Sequence, residues 1–207
     1  MPKTSRWEFA YASNPPWDTG KPLRELVELV EKGLIKPCRS IDLGCGRGHV
    51  VSYLLSKGFD AWGIDISVLA IRQAIKISKS KGFATNFINA DGLSHIPEEK
   101  FSLATDIGFY HALPEKERKH LAKHAYGQYL RRSGTLLLWC MSDEEPDYGG
   151  PHPIPKDELL SFFSKGWEIM GIQKTHLGKP GLKGLFMHAK LKCARAPNEI
   201  LVPAFAS

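Results

Sequence analysis

No stretch of the 207-residue sequence approaches the roughly 18 consecutive apolar residues that a membrane-crossing helix needs. Blocks of about five or more like charges are also missing, so no polybasic or acidic tail is predicted. Cysteine is scarce: Cys38, Cys45, Cys140 and Cys193 form no C-x-x-C pair. Neither a zinc ribbon nor a disulfide framework is therefore expected, and the thiols should be reduced. There is no internal repeat. The first twenty residues place Lys3, Arg6, Glu8 and Asp18 before any apolar run could form, which predicts a soluble, cytoplasmic protein.

What is present is an ordinary core-forming composition, 43% hydrophobic with 24% charged residues, which excludes wholesale disorder and fibrous repeats. The length fits one domain over residues 1–207 and leaves no room for a second substantial one. A formal net charge of +6 permits nucleic acid as a partner without implying it. No metal and no membrane partner are expected.

Residues 22–33 place Leu23, Leu26, Val27 and Val30 at helical spacing, with Pro22 suited to the first turn and Gly33 to the stop. A short strand at 40–43, a glycine cluster and a helix at 49–57 follow. The rhythm then repeats as strand 61–65, helix 68–81, strand 85–90, strand 101–108, a polar-faced helix at 115–131 and a buried strand at 134–141. Residues 142–155 are dense in Pro, Gly and Asp and read as a loop, and 156–165 as a short helix ending at Gly166. Strands at 167–177 and 185–193 are joined by a hairpin-type connection at 178–184, and 194–207 reads as a tail. This predicts an α/β fold: a Rossmann-like, seven-stranded, mostly parallel sheet with helices on both faces and a C-terminal antiparallel hairpin. Ligands of such sheets bind at the carboxyl ends of the strands. Function is expected in the loops after residues 43, 65, 90, 107 and 141.

The first of these loops reads IDLGCGRGH, so Asp42, Gly44, Gly46 and Gly48 fall directly between strand and helix. Glycines there permit a tight turn and a close backbone approach to a ligand. A dinucleotide fingerprint would need glycine where His49 stands. Asp42 would repel a pyrophosphate but welcome an ammonium group or its water shell. Asp65 ends the second strand 21 residues after Gly44, the offset at which an acid accepts hydrogen bonds from ribose hydroxyls. Asp91 ends the third strand, placed to read an adenine amino group, and Asp106 ends the fourth. Four acidic strand ends without a phosphate-binding lysine point to a nucleoside lacking phosphates.

With these residues in view, the sequence resembles the class I S-adenosylmethionine-dependent methyltransferases over roughly residues 39–193. IDLGCGRG matches the first motif, WGIDIS (62–67) the second, INADG (88–92) the third and FSLATDIGFYHAL (101–113) the fourth region. RWEFAYASNPPWDTGKPLREL (6–26) and GGPHPIPKDELLSFFSKGWEI (149–169) are similar to the thiopurine, halide/thiol and tellurite-resistance branch. The resemblance implies S-adenosyl-L-methionine as cofactor. It gives Asp42, Gly44, Cys45, Gly46 and Gly48 to the methionine end, and Asp65, Ile66, Asp91 and Gly92 to ribose and adenine. Asp106, Ile107 and Trp17 would border the methionine and sulfonium region. Residues 1–33 would cover the site of a 39–193 core. The implied activity is methyl transfer to a small acceptor, most plausibly a thiol, another chalcogen or a different soft nucleophile. The alternatives are an enzyme acting on RNA, protein or a larger metabolite's nitrogen or oxygen, and a cofactor-binding module without turnover.

Methyl transfer from a sulfonium chiefly needs alignment, desolvation and a shielded pocket. Trp17 or Tyr11 could hold the sulfonium by cation–π attraction, though Trp7, Tyr11 and Trp17 could equally pack an amino-terminal helix. Phe109, Tyr110 and Met141 are candidate acceptor walls, together with Trp7 and Tyr11. His111 is a candidate base, against the plainer reading of a solvated helix-start residue, and His152 sits in the loop expected to contact substrate. No catalytic residue beyond the candidates His111 and Tyr11 is read. Asn14-Pro15-Pro16-Trp17 resembles an N-P-P-aromatic motif of amino-methylating enzymes, but that motif belongs after the fourth strand, where this sequence has Asp106-Ile107-Gly108-Phe109. Lys116, Arg118, Lys119, Lys123, Arg131 and Arg132 read as the solvated face of one basic helix.

Overall fold

The computed structural model describes residues 3–147, 149–177 and 181–192; Cys193, the tail at 194–207 and part of the expected 178–184 connection lie outside the described residues. Short apolar runs become strands β1 (Arg39–Leu43), β2 (Asp60–Asp65), β3 (Phe87–Asn89), β4 (Phe101–Ile107), β5 (Leu130–Met141), β6 (Trp167–Leu177) and β7 (Leu182–Leu191). They form one sheet in the order β3-β2-β1-β4-β5-β7-β6. The pairs from β3 through β5 are parallel, and β7 runs antiparallel between β5 and β6. The strand order reverses direction beside β1, where β1 lies between β2 and β4. That switch point is where open α/β sheets leave a crevice.

Helices cover both faces because strand side chains alternate. Along β5, Leu137 and Trp139 join Leu26 of α2 (Arg24–Glu31) and Val51 and Leu54 of α3 (His49–Ser56) on one face. Leu136, Leu138 and Cys140 join Tyr126, Leu159 and Phe163 on the other. The remaining helices are α1 (Lys3–Tyr11), α4 (Val68–Ser80), α5 (Glu115–His120), α6 (Tyr126–Tyr129) and α7 (Lys156–Phe162). Ser67 caps α4, its hydroxyl accepting from the Ala70 amide. Glu8 of α1 reaches the same end and accepts from the Val68 and Leu69 amides, a favourable place for a carboxylate.

Several expected boundaries shift. The helix expected over 115–131 is broken into α5, a π turn at Leu121–Ala125 and α6. It ends at Tyr129 because Leu130 already pairs with Phe101 of β4. Arg131 and Arg132 therefore lie on the exposed start of β5 rather than on a helix. Arg118 is not solvated: it is buried and forms a bidentate pair with Glu158 of α7, its Nε and Nη2 at 2.8 and 2.7 Å from the two carboxylate oxygens. The third strand shrinks from 85–90 to Phe87–Asn89, and β7 begins earlier than expected, at Leu182. Pro22 precedes α2, which opens at Arg24.

Candidate functional site: a covered crevice at the carboxyl ends of the strands

The loop from β1 to α3 owes its shape to glycines that adopt φ of +67° at Gly44 and +51° at Gly46, values that side-chain-bearing residues avoid. The Cys45 amide donates to the Ile64 carbonyl (3.0 Å), which holds the loop against the end of β2. The loop is also closely roofed. A Cβ on Gly46 would stand 2.5 Å from the Tyr11 hydroxyl, and one on Gly44 would stand 2.8 Å from Phe109 Cβ. Neither position tolerates even a methyl group without displacing an aromatic side chain.

Above this loop lies a cavity of about 510 Å³, within the size range of small-molecule sites, roughly 300–1,000 Å³. One wall brings together Asp42, Gly44, Cys45, Gly46, Asp65, Ile66, Asp91, Gly92 and Ile107. Its roof is Trp7, Tyr11 and Trp17 from the amino-terminal segment, with Trp7 and Trp17 edge to face at 6.0 Å. Phe109, His111 and Met141 line it too. Lining residues that sequence reasoning missed include Leu23, Val50, Leu113, Trp139, Leu177 and Leu182. Trp139 was the most legible of these, as an aromatic residue near the carboxyl end of a buried strand.

Four expected site residues are not in the lining. Gly48 is the N-cap of α3, and a Cβ there would strike Phe87 at 2.8 Å, so its glycine serves helix–strand packing. Asp106 is fully buried and faces away. In the β1–β4 register Asp42 pairs with Thr105 and Leu43 with Asp106, so Asp106 shares the face of Leu43, one step out of phase with Asp42. There the Tyr126 hydroxyl donates to Asp106 Oδ2 (2.6 Å), and the Phe109 and Tyr110 amides donate to Oδ1 (2.9 and 3.0 Å). Tyr110 is likewise buried, its hydroxyl donating to Glu158 (2.8 Å). His152 is exposed, and its backbone amide donates to the His111 carbonyl (2.8 Å).

The carboxylates that remain differ in their partners. The Thr105 hydroxyl donates to Asp42 (2.6 Å), and no cation pairs with that carboxylate among the described residues. Burial pushes the Asp42 carboxyl up to about 8, and the nearby Asp106 and Asp65 add to the rise. Asp65 accepts from the Gly46 amide (2.9 Å) through one oxygen and from the Ser67 amide (2.8 Å) through the other. It thereby holds the glycine loop, and each carboxylate oxygen retains a further acceptor site. Burial also raises Asp65 above the ordinary carboxylate range. Cys45 and Cys140 are buried thiols pushed well up by desolvation, so neither is a ready nucleophile. Burial likewise raises the Tyr11 hydroxyl, as does the nearby Asp65.

The roof is tied down from below. Arg47, on the glycine loop, donates to Asn14 Oδ1 (3.0 Å), to the Ser13 carbonyl (2.6 Å) and to Gln73 Oε1 (2.6 Å), and pairs with Asp18 (2.9 Å). Gln73 in turn donates to the Tyr11 carbonyl (3.1 Å). Burial would raise Asp18, but His49 and Arg47 hold it below the usual carboxylate range. Asn14 thus uses its side-chain oxygen to accept from Arg47.

The family model described as "Methyltransferase domain" matches residues 41–134. The chain is 31% identical over 188 residues to thiocyanate methyltransferase 1 of Arabidopsis thaliana, covering 86% of this chain and 80% of that one. It is 27% identical over 174 residues to 2-heptyl-1-hydroxyquinolin-4(1H)-one methyltransferase of Mycobacteroides abscessus, covering 80% and 74%. Its fold matches a solved structure from work on the "Conversion of a Disulfide Bond into a Thioacetal Group during Echinomycin Biosynthesis" with TM-score 0.79 and 25% identity, covering 91% of this chain and 93% of that one. The chain belongs to the class I S-adenosylmethionine-dependent methyltransferases. Within that class it is similar to the thiol, thiocyanate and thiopurine methyltransferases. The cavity fits the cofactor: a buried carboxylate at Asp42 with no cation partner among the described residues suits an ammonium group. Among the described residues no helix is long and apolar enough to cross a membrane.

Proposed function

We propose that the protein transfers a methyl group from S-adenosylmethionine to a small, soft nucleophile such as a thiol or thiocyanate. The observation that carries this reading is the mixed character of one covered cavity. An acidic, glycine-rich wall continues into an apolar and aromatic wall of Phe109, Leu113, Trp139, Met141 and Leu182. In this reading Asp42 and the Gly44–Gly46 backbone take the methionine end, Asp65 and Ile66 the ribose, and Asp91 and Gly92 the adenine. Trp17 faces the sulfonium, where cation–π attraction contributes on the order of 0.5–2 kcal/mol. Residues 1–33 act as the cover of a single methyltransferase domain, excluding water from the reacting atoms.

The cofactor supplies an activated methyl group; the chain supplies alignment, desolvation and a dry wall beside it. The names of the relatives, which include a probable thiol methyltransferase and a hydroxyquinolinone methyltransferase, favour acceptors of this size. The test is methyl transfer over a panel of thiols, thiocyanate, hydroxyquinolones, amines and RNA, with S-adenosylhomocysteine binding measured by calorimetry. Turnover confined to thiols and other soft anions is expected. Turnover on RNA or protein alone would overturn the reading.

A further inference from the structure

His111 lies in the short 3-10 turn Tyr110–Ala112 that follows β4, buried and in the lining of the cavity. A histidine that serves as a base is normally oriented by a carboxylate or carbonyl that accepts its Nδ1–H, leaving Nε2 with a lone pair. Here the polarity is reversed. The Met141 amide donates to His111 Nδ1 at 2.7 Å, so the ring's acceptor nitrogen is spent on the backbone. A neutral imidazole has one acceptor and one donor nitrogen, so Nε2 must carry the proton. Nε2 lies beside Gly108, itself a lining residue: a Cβ on that glycine would stand 3.3 Å from it.

The surroundings keep the ring neutral. Burial lowers His111 to about 3, and the two groups that act on it electrostatically, His152 on the 142–155 loop and Arg118 on α5, push the same way. From β5 the ring meets the Met141 amide and the edge-on Trp139 indole, 5.5 Å away between centroids. The Trp139 Nε1–H is itself buried and has no hydrogen-bond partner among the described residues.

We propose that His111 donates its Nε2–H to the acceptor's nucleophilic atom, and that the site selects acceptors already present as anions, such as thiolates, pseudohalides and aryl-oxides. This rests on the proposed function and specifies its substrate form. The anion's lone pair forms the bond to the methyl carbon as the methyl–sulfur bond breaks and its electron pair returns to sulfur. Anion and sulfonium become two neutral products, and no proton has to leave. A neutral amine or alcohol would have to shed a proton, which His111 has no lone pair to take. Exposed Arg6 and Lys21 at the edge of the cavity add positive charge favourable to an entering anion.

The test measures kcat/KM for aryl thiols of graded acidity against pH, for the full-length parent and for His111→Gln and His111→Ala. Glutamine can accept from the Met141 amide and still donate. The rise in kcat/KM is expected to track each thiol's own pKa. His111→Gln should stay within about tenfold of the parent and His111→Ala should fall by about a hundredfold, the scale for one lost donor. Nitrogen NMR of the parent supplies a readout independent of variants and should show the Nε2–H tautomer at neutral pH. A midpoint common to all thiols near neutrality, an equal loss in both variants, or the Nδ1–H tautomer would overturn the assignment while leaving the methyltransferase reading intact. No turnover on any thiol or on thiocyanate, with S-adenosylhomocysteine still bound, would overturn both.

Discussion

Replacing Glu158 with alanine strips the carboxylate from two buried groups at once. Its side chain is 12% exposed and that of Arg118 7%, so the pair is shielded from solvent rather than screened at the surface. Both guanidinium bonds to Glu158 are lost, as is the Tyr110 hydroxyl bond; only the Arg118 Nη1 bond to the Leu113 carbonyl (2.8 Å) remains. Removing one member of a buried pair costs about 3–5 kcal/mol, because the other charge stays desolvated and unpaired. At about 2–4 °C per kcal/mol for a chain of this size, the melting temperature should fall by roughly 6–20 °C. Thermal unfolding followed by circular dichroism measures this directly. Replacing both residues by apolar ones, Glu158→Leu with Arg118→Met, should recover much of the loss, since the uncompensated charge is gone. A Glu158→Ala melting temperature within about 2 °C of the parent, or a double variant less stable than the single one, would refute the reasoning.

Gly46→Ala forces a left-handed residue to carry a side chain, costing about 1–2 kcal/mol, and drives a methyl into the Tyr11 hydroxyl. Calorimetry should show weaker S-adenosylhomocysteine binding, partly restored when Tyr11→Phe removes the clashing oxygen. Arg47→Met removes the guanidinium's ties to Ser13, Asn14 and Asp18 in the roof; hydrogen exchange at residues 12–18 should accelerate, and S-adenosylhomocysteine affinity should fall by about tenfold, the scale of one charged hydrogen bond. The ligand-free protein should lose stability as pH rises from about 6.5 to 8.5. Asp42 has a folded pKa raised to about 8, so its stabilising protonated form is fully present below the unfolded value of about 4 and is lost as pH climbs through 8. His111 works in the opposite sense. Lowered to about 3, it costs stability only as pH falls below about 6.5, where the unfolded chain gains a proton. Melting temperatures of the parent and Asp42→Asn from about pH 6.5 to 8.5 check this; an equal slope in both would exclude Asp42 as the source.

The amino-acid sequence by itself determined the succession of strands and helices, the antiparallel ending and the glycine turn at 44–48. Each is written in local periodicity and backbone preference, which neighbours along the chain are enough to express. It also marked the strand ends where acids cluster, but could not say which of them face a ligand. Tertiary structure decided that. Asp42 and Asp106 both end strands, yet the β1–β4 register sets them on opposite faces, so one enters the cavity and the other is bound by Tyr126 in the core. The same holds for the histidine after β4. Its identity suggested a base, and only the approach of the Met141 amide from a strand thirty residues away fixed which nitrogen holds the proton. Arg118 read as solvated until α7 brought Glu158 against it from forty residues further on. Contacts of that range depend on how strands align and helices pack, and no local pattern carries them.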